Sequence, residues 1–410
     1  MKLMVYSHDT FGLGNIRRML AICKYLRDTI EDISILIVTG SPMLHSFRVA
    51  HGIDYIKLPC LKRSLGGDLG VRFLDLESDD IIRLRSQIIQ TSVRSFKPDV
   101  VLVDKKPTGL AGELEPALKF IRSGLPSAKV LLVMRDILDE PAATIEQWHK
   151  GGYDEAVRWF YDAVLVLGSA GIFDVRKEYR FSPEVSSKVV YCGYVRRERG
   201  EKTRKALRRE LHVGDDENLV LVTAGGGEDG YQLMQSYLSG LAVAPPSRKV
   251  RSLVITGPEL PPSKRHMLGD LAASHPGVQV LEFTDDMMGY MDAADVVVSM
   301  GGYNTVCELL TLKKRAVVVP RVEPVAEQRI RAERLAGLSL FKTILPADLR
   351  PALLMRAVLQ EIDRARLGGD SPDLIELDAL PRISRLVAAL GPGSGLGDAA
   401  FGMQVCPASA

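Results

Sequence analysis

Three glycine-bearing segments hold the residues best suited to chemistry. Gly12-Leu13-Gly14-Asn15-Ile16-Arg17 follows an apolar run and opens a helical pattern. Thr223-Ala224-Gly225-Gly226-Gly227-Glu228-Asp229-Gly230 does the same in the second half, and Ser299-Met300-Gly301-Gly302-Tyr303-Asn304-Thr305-Val306-Cys307-Glu308 repeats the arrangement. Glycines let backbone come close to a ligand, and a helix N-terminus favours an anion. In the third segment, backbone N–H groups can bind a diphosphate while Glu308, about one turn on, reaches a ribose diol. The same residues also describe an ordinary helix start, capped by Asn304 or Thr305, with Glu308 as a surface charge. Gly225 to Gly230 matches G-x-G-x-x-G, but the next strand ends Thr256-Gly257-Pro258 without a ribose-binding carboxylate. A tight strand-to-helix turn accounts for that segment equally well. In the first segment Arg17 stands where a third glycine is expected, and the second strand ends Thr39-Gly40-Ser41. Nicotinamide binding is therefore disfavoured, and the absence of G-x-x-x-x-G-K-[ST] disfavours a P-loop NTPase.

Other constellations are excluded. The seven histidines never form H-E-x-x-H, and the five cysteines are scattered without a C-x-x-C pair. Neither a thiolate zinc site nor a disulfide framework fits. No D-x-D triplet occurs, so no metal-holding motif of that kind is present and no cofactor is expected. Lys and Arg total 53 against 51 Asp and Glu, a net charge of +2 without the basic field of a nucleic-acid binder. Arg17 and Arg18 follow the first loop as candidate anion ligands or solvated helix charges. Arg321 and Glu323, just after the strand ending at Pro320, are ligand candidates or an ion pair.

Positioning these residues requires a scaffold of strands and helices. The chain has 410 residues, which at about 150 per domain suggests two or three domains. Apolar runs Leu3–Ser7, Ile33–Thr39, Val100–Asp104, Val130–Met134 and Ala163–Leu167 read as buried strands. Segments Ile16–Arg27, Ile81–Phe96 and Glu113–Ser123 carry apolar residues at helical spacing. The rhythm restarts at Leu219–Thr223, Leu253–Thr256, Val278–Phe283, Val296–Ser299 and Ala316–Val319. Such alternation predicts an α/β chain of two Rossmann-like domains facing across a cleft. The expected boundaries are 1–197 and 203–365, then a helical segment over 366–390 and a flexible tail over 391–410. No stretch approaches the roughly 18 apolar residues of a membrane span, and the start lacks a signal-peptide pattern. A reducing cytoplasm is the expected location.

Leu281–Asp286, Met288–Asp295, Gly301-Gly302-Tyr303-Asn304-Thr305 with Glu308, and Val317–Arg321 with Glu327-Gln328 resemble the C-terminal domain of glycosyltransferase family 28. Ser7-His8-Asp9-Thr10-Phe11-Gly12-Leu13-Gly14, Asp104-Lys105-Lys106-Pro107 with Gly112-Glu113-Leu114, and Arg135-Asp136-Ile137 extend the resemblance over roughly residues 1–365. The group it resembles is the predicted bacterial glycosyltransferases related to the peptidoglycan lipid-intermediate N-acetylglucosaminyltransferase. That resemblance implies the GT-B fold and inverting, metal-independent transfer from a nucleotide-sugar, UDP-sugar favoured, to a hydroxyl acceptor. Gly226 and Gly227 would then lie near the diphosphate, Thr284 to Met287 would border the base, and Gly302, Asn304 and Thr305 would line the diphosphate. Glu308 would bind ribose, and Glu327 and Gln328 would face the donor sugar. The N-terminal domain, with Gly12, Gly14 and Arg17, would hold an acceptor that is either lipid-linked or a small molecule. Peripheral contact with the inner membrane face fits that relationship, with Phe11, Leu65 and Phe73 as apolar loop residues.

The family commonly carries Gly-His where this chain has Gly14-Asn15. Asparagine orients a hydroxyl or bonds a phosphate but takes no proton at neutral pH. His8, Asp9 and Asp136 remain as base candidates, each with a purely structural alternative. A nucleotide-sugar hydrolase or epimerase, and a non-catalytic sugar-nucleotide binder, are the competing readings.

Overall fold

The computed structural model describes residues 1–8, 14–42, 50–63, 69–227, 229–245, 249–366 and 375–391. Asp9, Phe11, Gly12, Leu65, Glu228 and the expected tail beyond Gly391 lie outside the described residues. The chain divides into two units, Met1–Tyr194 with the segment from Asp378 onward, and Val195–Leu377.

In the first unit the strands are β1 (Lys2–Ser7), β2 (Ser34–Thr39), β3 (Ile53–Lys57), β4 (Leu61–Arg63), β5 (Leu69–Val71), β6 (Val100–Asp104), β7 (Lys129–Arg135), β8 (Ala163–Leu167) and β9 (Val189–Tyr191). The helices are α1 (Gly14–Thr29), α2 (Ser78–Phe96), α3 (Glu115–Gly124), α4 (Pro141–Lys150), α5 (Tyr153–Phe160), α6 (Val175–Glu178) and α7 (Pro183–Ser187). Every residue of β6 and β8 is buried, as parallel strands covered on both faces require. The main sheet runs β3-β2-β1-β6-β7-β8-β9, all parallel, while β4 and β5 form a separate antiparallel ribbon. Strand order reverses between β1 and β6, where open α/β sheets place ligands.

The second unit repeats the plan with β10 (Asn218–Thr223), β11 (Val250–Ile255), β12 (Val278–Leu281), β13 (Val296–Ser299), β14 (Ala316–Val318) and β15 (Lys342–Thr343). Its helices are α8 (Arg204–Glu210), α9 (Tyr231–Leu241), α10 (Pro262–Ala273), α11 (Met287–Ala293), α12 (Tyr303–Thr311), α13 (Glu327–Gly337) and α14 (Pro351–Arg366). The parallel sheet β12-β11-β10-β13-β14-β15 reverses between β10 and β13. Its core joins Val220, Val222, Val254, Val296, Val298 and Val317 to Met234, Leu238, Leu354 and Val358 from the helices.

After that sheet the chain returns to the first unit as α15 (Ala379–Leu390). Ile383 and Val387 are fully buried there, and Ser384 Oγ lies 2.8 Å from Thr29 Oγ1 of α1. Arg382 Nη1 donates to the Tyr191 carbonyl at 3.3 Å, fastening the helix near the end of β9.

Most expected strands coincide with observed ones to within a few residues. Two differences affect the site. The strand expected over Val278–Phe283 stops at Leu281, leaving Phe283 62% exposed. The helix after Ser299 begins at Tyr303 with Gly302 as its cap residue, so neither Asn304 nor Thr305 caps it.

Candidate functional site

In the second unit the reversal point aligns two of the three glycine segments. Thr223 of β10 and Ser299 of β13 are register partners, and each is the last residue of its strand. The loops beginning at Ala224 and Met300 therefore leave the sheet side by side. Strand neighbours lie about 4.8 Å apart, so the two loops start next to one another.

The two loops differ in how open they are. Gly227, at φ +97°, is packed so that a Cβ there would lie 2.2 Å from the Thr256 carbonyl oxygen. Gly226 is covered by Glu259, whose N–H donates to the Gly226 carbonyl at 2.8 Å. Gly225, at φ +69°, faces space with no atom within 4 Å of an added Cβ. The residue of this loop best placed to meet a ligand is thus Gly225, while Gly226 and Gly227 brace the loop against the end of β11. In the second loop, an added Cβ at Gly302 would likewise meet nothing within 4 Å. The cap residue of α12 is Gly302, which has no side chain to cap the helix. Asn304 and Thr305 are half-buried in its first turn, and Asn304 Oδ1 accepts a hydrogen bond from Arg197.

Glu308 is only 5% exposed, which excludes the surface-charge reading. Glu327 and Gln328 are also buried, at the start of α13 beyond the end of β14. Gln328 Oε1 accepts the Arg321 N–H at 3.2 Å, and Gln328 backbone crowds Gly301. Arg321 pairs with Asp229 at 3.0 Å. Because β13 lies between β10 and β14, this ion pair ties the flanking loops together across the end of β13.

Thr284 and Met287 follow β12, two strands from β10 on the other side. Thr284 Oγ1 accepts the Asp286 N–H at 3.1 Å, and Met287 begins α11. Asp286 lies in the loop expected to border the base, and the structure gives it a capping role as well. Its carboxylate caps α11 through Gly289 N–H at 3.0 Å and accepts Glu201 N–H at 3.1 Å and Lys202 N–H at 3.0 Å. An Asp three residues before a helical glycine is the available cap signal. The connector after Val195 is thereby fastened to the loop that carries Thr284.

The first unit has its own polar cluster at the reversal between β1 and β6. His8 is 7% exposed, and its Nδ1 lies 3.2 Å from the Asp104 carbonyl oxygen. Burial pushes its pKa down to about 3, against a smaller upward pull from Asp104. The ring is neutral at pH 7. Arg18 is buried and pairs with Asp104 at 2.6 Å, so it is a structural ion-pair member rather than a solvated anion ligand. Arg17, one residue earlier, is exposed. Gly14 and Asn15 form the first residues of α1. Asp136 is 1% exposed and has both oxygens engaged, Oδ1 by Ile137 N–H at 2.8 Å and Oδ2 by the Tyr194 hydroxyl at 3.0 Å. That arrangement gives Asp136 the turn-holding role rather than an open path to a substrate.

Beside this cluster, the loop after β6 carries positive φ at Lys105, Gly109, Ala111 and Gly112. It is held from below. Tyr6 donates its hydroxyl proton to Glu113, and Arg85 grips Glu113 with bonds of 2.5 and 2.7 Å. Burial, reinforced by Glu113, keeps the Tyr6 phenol protonated. Strained backbone secured by a buried network is characteristic of ligand-facing loops. Among the described residues, no three His, Cys, Asp or Glu side chains gather as a metal site requires. No helix among them is long and apolar enough to cross a membrane. Phe73 is 70% exposed beside exposed Leu74 and Leu76.

Residues 219–366 match the model of the glycosyltransferase family 28 C-terminal domain, a span that includes both glycine loops of the second unit. Over 366 residues the chain is 26% identical to the UDP-N-acetylglucosamine–N-acetylmuramyl-(pentapeptide) pyrophosphoryl-undecaprenol N-acetylglucosamine transferase of Acetivibrio thermocellus, covering 87% of this chain and 88% of that one. The chain has the GT-B fold and carries a glycosyltransferase family 28 C-terminal domain over residues 219–366. An uncharacterized glycosyltransferase of Methanopyrus kandleri is 30% identical over 183 residues, or 44% of this family 28-like chain. The match spans about half, 49%, of that relative's length. Among solved structures, MurG of Acinetobacter baumannii superposes with a TM-score of 0.60 at 17% identity, covering 94% of this chain and 98% of that chain. A putative UDP-N-acetylglucosamine 2-epimerase from Listeria monocytogenes gives 0.62 at 12% identity, covering 95% and 96%. Likeness at that identity establishes the GT-B fold and no more.

Proposed function

We propose that this family 28-like glycosyltransferase moves a sugar from a UDP-sugar to a hydroxyl acceptor, with inversion and without a metal. The observation that carries this reading is the pair of open glycine turns at register-partnered strand ends, Thr223 and Ser299, within the segment that matches the family model. The donor contacts in this reading are base at Thr284 and Met287, ribose at Glu308, diphosphate at Gly225 and Gly302–Thr305, and donor sugar at Glu327 and Gln328. The first unit holds the acceptor, with Gly12, Gly14, Asn15 and Arg17 on the acceptor side. The named activity of the Acetivibrio thermocellus relative supports N-acetylglucosamine as the sugar to try first and a lipid-linked pyrophosphate as the first acceptor class.

In an inverting transfer the acceptor oxygen attacks the anomeric carbon as the bond to the diphosphate breaks. Negative charge grows on the leaving group, where backbone N–H groups and the α12 terminus offset it. The acceptor proton passes to a base. His8 is the described candidate, because a Nδ1–H bond to the Asp104 carbonyl leaves the lone pair on Nε2. A ring of such low basicity takes the proton late, once the forming bond has acidified the oxygen. Asp9 remains the second candidate.

The test is release of UDP from UDP-N-acetylglucosamine, with and without lipid pyrophosphate and small-sugar acceptors, in EDTA. Acceptor-dependent release with an inverted product is expected, and His8→Gln lowers kcat by about 100-fold without changing donor affinity. Equal release without acceptor makes the protein a hydrolase, and an epimerised donor makes it an epimerase. That last reading keeps its place because epimerases share the fold.

A further inference from the structure

Arg331 is fully buried in α13, and its guanidinium lies 5.5 Å from the centre of the Tyr303 ring. Its Nη1 donates to the Gly301 carbonyl oxygen at 3.0 Å. A trans peptide is planar, so the carbonyl of Gly301 and the N–H of Gly302 point in opposite directions. Drawing the carbonyl toward the buried arginine turns the Gly302 N–H the other way. That N–H has no hydrogen-bond partner among the described residues, and nothing lies within 4 Å of a Cβ added to Gly302. At the adjacent strand end Ser299 Oγ is also buried without a partner.

We infer that Arg331 is a positioning residue: it sets the Gly301–Gly302 peptide so that the Gly302 N–H serves as a donor to the diphosphate of the nucleotide. This rests on the donor-site reading above. Arg331 does not touch the ligand. It acts through one peptide group, and the guanidinium is suited to this because its several donors let it bond the carbonyl while stacking on Tyr303.

Calorimetry with UDP and with uridine tests the assignment. Arg331→Lys is expected to weaken UDP about 10-fold or more while leaving uridine unchanged, because only the diphosphate uses the Gly302 N–H. Gly302→Pro is the companion variant. Gly302 has φ −61° and ψ 144°, which proline adopts without strain, and proline removes that N–H outright. It too should weaken UDP selectively, and the double variant should bind no more weakly than the weaker single variant. Equal losses for UDP and uridine would show a merely structural arginine and overturn the inference, as would full additivity of the two changes. If Arg331→Lys does not fold, unchanged UDP binding by Gly302→Pro overturns it alone. Failure of the wild-type protein to bind UDP, GDP, ADP or dTDP sinks the donor-site reading and this inference together. Normal UDP binding by wild type and both variants sinks only the inference.

Discussion

His8 shows how burial sets a residue's chemistry. Its folded pKa of about 3 lies well below the usual value near 6.5, because a buried imidazolium loses its hydration. Below pH 6.5 the unfolded chain takes up a proton that the folded chain refuses, so folding weakens as pH falls from 6.5 to about 3. The slope from this residue reaches at most about 1.4 kcal/mol per pH unit. Denaturant titrations at pH 4, 5 and 7 should show that His8→Gln is flatter than wild type over this window. Equal slopes would mean that the ring is hydrated in solution. Asp104 serves two neighbours, bonding Arg18 with its side chain and His8 with its carbonyl, and so fixes the ring proposed as the base.

At the scale of elements, the glycine loops work because some glycines are open and others are packed. Gly227→Ala drives a methyl against the Thr256 carbonyl at a φ of +97°. It should destabilise the second unit by several kcal/mol, by strain and overpacking together. Gly225→Ala meets only the left-handed backbone cost of about 1–2 kcal/mol, and its added methyl points into the proposed ligand space. Thermal unfolding should rank Gly227→Ala as the more damaging change; the reverse order would contradict the packing described. The buried strands were legible in sequence because fully covered parallel strands are continuous apolar runs. Edge strand β3, with mixed exposure, and the three-residue strands β4 and β5 lack that signal. The strand–glycine–helix turns at Ala224 and Met300 were equally legible, yet which glycine is open depends on the β11 loop that packs against them. Glu308 could be read as a ribose ligand or a surface charge, and its burial removes the surface-charge reading. Arg331 gave no signal, since an arginine in an amphipathic helix ordinarily reads as solvated, and its partner is the backbone carbonyl of a residue 30 positions away.

For the whole molecule, the last described helix belongs to the first unit although it follows the second in sequence. Ending the chain before Asp378 removes Ile383, Leu386, Val387 and Leu390 from the face of the first unit. At about 1.5–3 kcal/mol for each buried side chain, that loss is comparable to the stability of a domain. The truncated protein should lose the first unit's cooperative melt while the second unit still binds nucleotide. Loss of nucleotide binding as well would contradict a donor site built within Val195–Leu377 alone. The central claim is that this unit is a nucleotide-diphosphate site, and its most direct test is calorimetry of UDP, GDP, ADP and dTDP against wild type and Glu308→Ala. UDP should bind the wild type and raise its melting temperature with concentration, and Glu308→Ala should weaken it by about 10- to 100-fold. No binding by any of the four nucleotides at millimolar concentration would contradict the account.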